Sequence, residues 1–95
     1  MNKEFFVYIL ANKYHGTIYI GITSDIERRI RAHKEGLIKG FTYKYNVDKL
    51  VYYEKYETAE EAISREKHMK KWKRDWKINL IEKENKEWFD LAKDL

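Results

Sequence analysis

The chain has no cysteine, no proline and only four glycines in 95 residues. Without a thiol it cannot build a disulfide scaffold, a thiolate zinc site or a cysteine nucleophile. Without proline, and with glycine confined to positions 16, 21, 36 and 40, it offers no flexible linker, and no internal repeat is evident. Long hydrophobic runs are missing too: the longest, Phe5 to Ala11, is far below a membrane span, and the first residues lack a signal peptide's layout. The expectation is a single soluble cytoplasmic domain over residues 1–95, with no membrane association and no room for separate catalytic and specificity domains.

What is present suits a compact core. Hydrophobic residues make up 43% of the chain and aromatic ones 16%, so a few large rings can remove much area from water. The formal charge is +4, with 20 lysines and arginines against 16 acidic residues. The excess is uneven. Arg28, Arg29, Arg31 and Lys34 face one glutamate, and Arg65, Lys67, Lys70, Lys71, Lys73, Arg74 and Lys77 face only Glu66 and Asp75. If the fold joins these segments, they form a polyanion surface; if not, they are solvated helix faces.

Phe5–Ala11 and Thr17–Ile22 read as a β-hairpin closed by the five residues Asn12 to Gly16. Ser24-Asp25-Ile26-Glu27 has the capping-box pattern and starts a helix to about Lys34, which Gly36 ends in a left-handed position. Residues 36–49 read as a loop, carrying Phe41, Tyr43 and Tyr45 at alternating positions. Leu50–Tyr56 is a third strand, and Thr58-Ala59-Glu60-Glu61 opens a long helix through Met69. Helix resumes around Trp76 to Lys83, Trp72 and Trp76 join the core, and Trp88 to Leu91 docks at the end. The order ββαβαα gives an α+β fold: a small, three-stranded, mainly antiparallel sheet flanked by helices.

Three sets of residues can carry chemistry. Tyr8 and Tyr19 lie on neighbouring strands and can share a face; they are either paired proton-transfer groups or ordinary half-buried strand aromatics. Arg29 and His33 are four apart on one helix face, suited to a phosphoryl oxygen and to a phosphate or tyrosine, or else are surface residues. Glu66, the one acid between Arg65 and Arg74, suits a Mg²⁺ that keeps its waters, or a salt bridge with Lys70. His15 and His68 show no zinc-ligand spacing with His33.

Taken in order, these residues resemble the GIY-YIG nuclease family, also called the URI domain, and most of all its small stand-alone bacterial members. Tyr19-Ile20-Gly21 follows Phe6-Val7-Tyr8 across the hairpin, Arg29 stands ten residues beyond Tyr19, His33 one turn later, and Arg65-Glu66-Lys67 lies in the next long helix. Phe6 stands where the family commonly has glycine, and Asn79 is the one candidate for the asparagine that often follows the glutamate helix. The resemblance implies a metal-dependent endonuclease with Tyr8, Tyr19, Arg29, His33 and Glu66 as its catalytic set. Glu66 would hold Mg²⁺ or Mn²⁺, a tyrosine (Tyr19 by its intact motif) would help activate water, and Arg29 would neutralise the scissile phosphate. Arg28, Lys70, Lys71, Lys73, Arg74, Lys77 and Asn79 would contact DNA, and Phe41, Tyr43 and Tyr45 would stack on unpaired bases or cover the core. The implied substrate is single-stranded, branched or damaged DNA, as in repair or recombination, with a protein partner able to add specificity. The alternative is a non-catalytic nucleic-acid-binding module that retains the fold.

Overall fold

The computed structural model describes residues 3–95. Strand β1 (Phe5–Ala11) lies at the centre of a three-stranded sheet, with β2 (Ile18–Thr23) and β3 (Lys49–Tyr56) antiparallel to it on either side. The unbroken apolar run of β1 explains its place. Val7, Ile9 and Ala11 point to one face and Tyr8 and Leu10 to the other, and all five are buried, so this strand needs cover on both sides. The fold is therefore the expected α+β one.

On one face, Val7, Ile9 and Ala11 pack with Ala62 and Met69 of α3 (Ala59–Lys71), Ile81 of α4 (Arg74–Glu84) and Trp88. On the other, Tyr8 and Leu10 pack with Ile26 and Ile30 of α1 (Ile26–Lys34) and with Val47 and Leu50. The β1–β3 register slips between Ile9 and Leu10, because Tyr52 pairs with Ile9 and Leu50 with Leu10. The bulge at Val51 lets Val51 and Tyr52 both face the α3 layer, and the Asn85 side-chain amide donates to the Val51 carbonyl (3.0 Å).

Several local expectations are corrected. The cap of α1 is Asp25 and not Ser24: Asp25 Oδ1 accepts from the Arg28 N–H (3.1 Å), while Thr23 Oγ1 accepts from the Asp25 N–H (3.1 Å) and turns the chain into the helix. Gly36 does end α1, at φ 70°, with its N–H on His33 O and that of Leu37 on Ala32 O. Residues 36–49 are not all loop, since Phe41–Lys44 forms a short helix, α2. The hairpin loop is one residue longer than expected, because β2 starts at Ile18. Thr58 caps α3 as anticipated, and α4 starts at Arg74, ahead of Trp76. Trp72 packs against the core, but Trp76 is 55% exposed and does not. At the end of the chain Trp88 is buried, Phe89 is not, and a 3₁₀ turn follows at Leu91–Asp94. Among the described residues no helix is long and apolar enough to cross a membrane.

Candidate active site

Tyr8 sits opposite Gly21 in the β1–β2 ladder. A Cβ at position 21 would lie 2.5 Å from both Cζ and the hydroxyl of Tyr8, and 3.0 Å from Cε2 of Tyr19. The glycine of Tyr19-Ile20-Gly21 is thus the gap across which the Tyr8 ring lies, the close approach that glycine inside a strand signals. Tyr19, two residues earlier on the same face, brings its ring centroid to 6.4 Å from that of Tyr8.

The third side of this group comes from α1. Ile26, Ile30 and His33 recur at helical spacing and are its buried residues, so His33 is turned inward, not to solvent. Its ring centroid is 6.0 Å from that of Tyr8 and 6.1 Å from that of Tyr19, closing a triangle. His33 Nε2 is 3.3 Å from the Tyr8 hydroxyl and Nδ1 is 3.2 Å from Thr42 Oγ1. Burial, aided by the nearby Arg29 charge, lowers the His33 pKa, so the imidazole is neutral at pH 7. A neutral ring donates at one nitrogen and accepts at the other, so Tyr8, His33 and Thr42 form one directional hydrogen-bond chain.

The Tyr8 phenol is pushed far above its ordinary pKa, chiefly by burial and then by Tyr19; Arg29 opposes the shift and Glu66 adds to it. These two opposite charges therefore act on the same hydroxyl. Arg29 is exposed, one helical turn before His33, and among the described residues it has no acidic partner. Glu66, on α3, has a side chain only 15% exposed and pairs with Lys70 Nζ at 2.9 Å. The salt bridge anticipated as the simpler reading does form, and the carboxylate is also one whose charge reaches Tyr8.

Among the described residues no group of three or more histidine, aspartate or glutamate side chains could enclose a metal. A lone, mostly covered carboxylate fits Mg²⁺ or Mn²⁺ in one way: a single protein ligand, with waters and substrate oxygens filling the rest of the sphere.

Of the cations anticipated at a nucleic-acid surface, Arg28, Lys71 and Lys73 lie in solvent, as does Asn79. Others have structural duties. Lys70 holds Glu66, Lys77 Nζ donates to the Lys70 carbonyl (3.3 Å), and Arg74 donates to the carbonyls of His15 and Gly16 (2.8 and 2.6 Å), tying the hairpin loop to α4. Thr42 was not among the anticipated site residues. A threonine in an expected loop, nine positions from its histidine, carries no local signal; Gly21 carried one, as a glycine in mid-strand.

The model of a family described as GIY-YIG catalytic domain matches residues 4–79. A UPF0213 protein of Clostridium perfringens is 42% identical over 76 residues, covering 80% of this chain and 81% of that one. Another, from Haloquadratum walsbyi, is 35% identical over 82 residues, covering 86% and 91%. The solution NMR structure of a UPF0213 protein from Bacillus halodurans superposes with a TM-score of 0.58 at 29% identity, covering 95% of each chain.

Proposed function

The chain belongs to the GIY-YIG catalytic-domain family, a nuclease family, and from that premise we propose that it is a metal-dependent endonuclease that hydrolyses DNA phosphodiester bonds and selects structure over sequence. The observation that carries this reading is the Tyr8–Tyr19–His33 triangle, with Arg29 and Glu66 both acting on the Tyr8 hydroxyl.

In this reading Tyr8 is a permanent hydrogen-bond donor, since burial keeps its phenol protonated, and neutral His33, braced by Thr42, holds it in place. Tyr19, the more open of the two phenols, relays the proton of the attacking water: its oxygen takes that proton while its own O–H gives one up to solvent. Arg29 offers its planar fork to the non-bridging phosphate oxygens from the solvent side. Glu66 would hold Mg²⁺ or Mn²⁺, which supplies positive charge to the phosphoryl and leaving oxygens. The solvent-facing Arg28, Lys71 and Lys73 track the backbone, so affinity falls steeply with salt. Such backbone contacts carry no base information, so sequence preference would come from a partner protein.

The test is cleavage of end-labelled single-stranded, duplex and branched DNA at low salt with Mg²⁺ or Mn²⁺. Glu66→Ala is expected to cut slower by about a hundredfold or more while binding as well as wild type, and EDTA to stop the wild type. Undiminished cutting by Glu66→Ala would remove that residue from the site. Binding without cutting on every substrate would instead make the chain a nucleic-acid-binding module.

A further inference from the structure

The segment between α1 and β3 presents three aromatic rings to solvent beside the site. It turns into α2 at Gly40 (φ 113°) and out of it at Asn46 (φ 56°). Two residues anchor it. Thr42 is buried on His33, and Val47 is fully buried, with its N–H on the Thr42 carbonyl (2.9 Å). With these two turned inward, Phe41, Tyr43 and Tyr45 stay 48%, 54% and 46% exposed. Rings serving to cover the core would not leave about half their apolar area in water.

Their surroundings point to a ligand with flat faces and negative charge. The Phe41 ring lies 6.5 Å from that of Tyr19 at an interplanar angle of 28°, so the patch is continuous with the catalytic group, and Tyr45 lies 5.0 Å from Phe41. Lys39 Nζ sits 4.0 Å from the Tyr43 ring centroid and Lys44 Nζ 5.4 Å from that of Tyr45. Stacking faces flanked by cations match nucleobases flanked by phosphates. A duplex could use the lysines but would hide its base faces from the rings.

We propose that this turn is a stacking platform for unpaired nucleobases next to the scissile phosphate, led by Phe41 and Tyr45, so that the preferred substrate has a single-stranded segment there. The proposal rests on the nuclease reading, and the two can fail separately.

The experiment uses the full chain in EDTA at low salt, with a short single strand carrying 2-aminopurine and the matching duplex. Stacking on an aromatic ring quenches 2-aminopurine fluorescence. Wild type quenches the single strand on binding. Phe41→Ala and Tyr45→Ala each weaken single-strand binding about tenfold and relieve the quenching, while duplex affinity changes by less than about twofold. Phe41→Trp restores both, and matching circular dichroism melts show that the alanine variants are folded. Equal losses on both DNA forms, or wild-type binding without quenching, would overturn the platform. If these affinity differences hold but wild type with Mg²⁺ cuts nothing, the nuclease reading alone fails. If wild type cuts both forms and the variants bind normally, the platform alone fails.

Discussion

Tyr8 is only 1% exposed, and its ring is confined by the backbone at Gly21 on one strand and by His33 on α1. A ring held this way cannot retreat from an added methyl group, unlike a side chain at the surface. Gly21→Ala would set a carbon 2.5 Å from the Tyr8 hydroxyl, so either the ring or the β1–β2 ladder must shift. Overpacking of this kind costs about 1–3 kcal/mol. Urea unfolding should show that loss, and cleavage should fall with it because the shift breaks the Tyr8–His33 geometry. A variant with unchanged midpoint and activity would mean that the site tolerates a displaced Tyr8. The tyrosines and the glycine were readable beforehand because residues on paired strands have few ways to face each other. The burial of His33 was less so: helical spacing placed it with Ile26 and Ile30, but only the packed sheet decides which edge of that face is covered.

At the scale of elements, α3 carries Glu66 and must be held in one position on the sheet. Glu54 of β3 does this. Its carboxylate accepts from Arg65 Nε (3.0 Å) and Nη2 (2.9 Å), from the Tyr52 hydroxyl (2.5 Å) and from the Tyr56 hydroxyl (2.6 Å), and Arg65 in turn lies over the Trp72 ring. Bidentate, charge-assisted contacts of this kind fix orientation as well as distance. Removing the acceptor strands two phenols and a guanidinium at a partly buried site, and Glu54→Ala should destabilise the fold by about 2–3 kcal/mol in urea unfolding, whereas a loss within about 0.5 kcal/mol would show the contacts to be incidental. Tyr52, Glu54 and Tyr56 alternate along one strand face, which the sequence displays, but their partner lies eleven residues away on another element and no periodicity announces it. Helix starts were readable in the same limited way. Thr58 caps α3 as its pattern implies, whereas at α1 two adjacent residues could cap, and the hydrogen bond to Thr23 selects Asp25. Helix α2 was hidden because a four-residue turn has no period to detect; tertiary anchors at Thr42 and Val47 make it.

Over the whole molecule, ionisable groups tie distant segments together, and their shifted pKa values set the pH range in which the fold is most stable. His33 is buried and lowered below its ordinary 6.5, with Arg29 adding to the effect and Asp48 opposing it. The folded state therefore resists protonation that the unfolded chain accepts, and stability present above pH 6.5 is lost as pH falls. Glu54 and Asp90 add a second acid limb. Burial alone would raise both, but the hydrogen bonds to Glu54 and the Lys34 contact of Asp90 outweigh it and hold them below 4.5 and 3.8. Glu82 is lowered too, by hydrogen bonds from His15 and Trp88. As pH drops through these values the carboxylates of the Lys34–Asp90 and His15–Glu82 pairs, which fasten the chain's end to α1 and the hairpin loop to α4, lose their charge. The alkaline limb has the opposite sign. Tyr8, Tyr52 and Tyr56 are raised above 10.0, mainly by burial, Tyr56 to about 12, so their contribution is complete below pH 10.0 and is lost as the unfolded phenols ionise. Thermal melts followed by circular dichroism from about pH 3 to about pH 11 should show a plateau between about pH 7 and about pH 10. The first decline on the acid side should begin near 6.5 and vanish in His33→Asn, leaving only the carboxylate limb. A wild-type melting temperature that held steady between pH 6.5 and pH 5 would place the His33 ring in solvent and dissolve the hydrogen-bond chain that orients Tyr8.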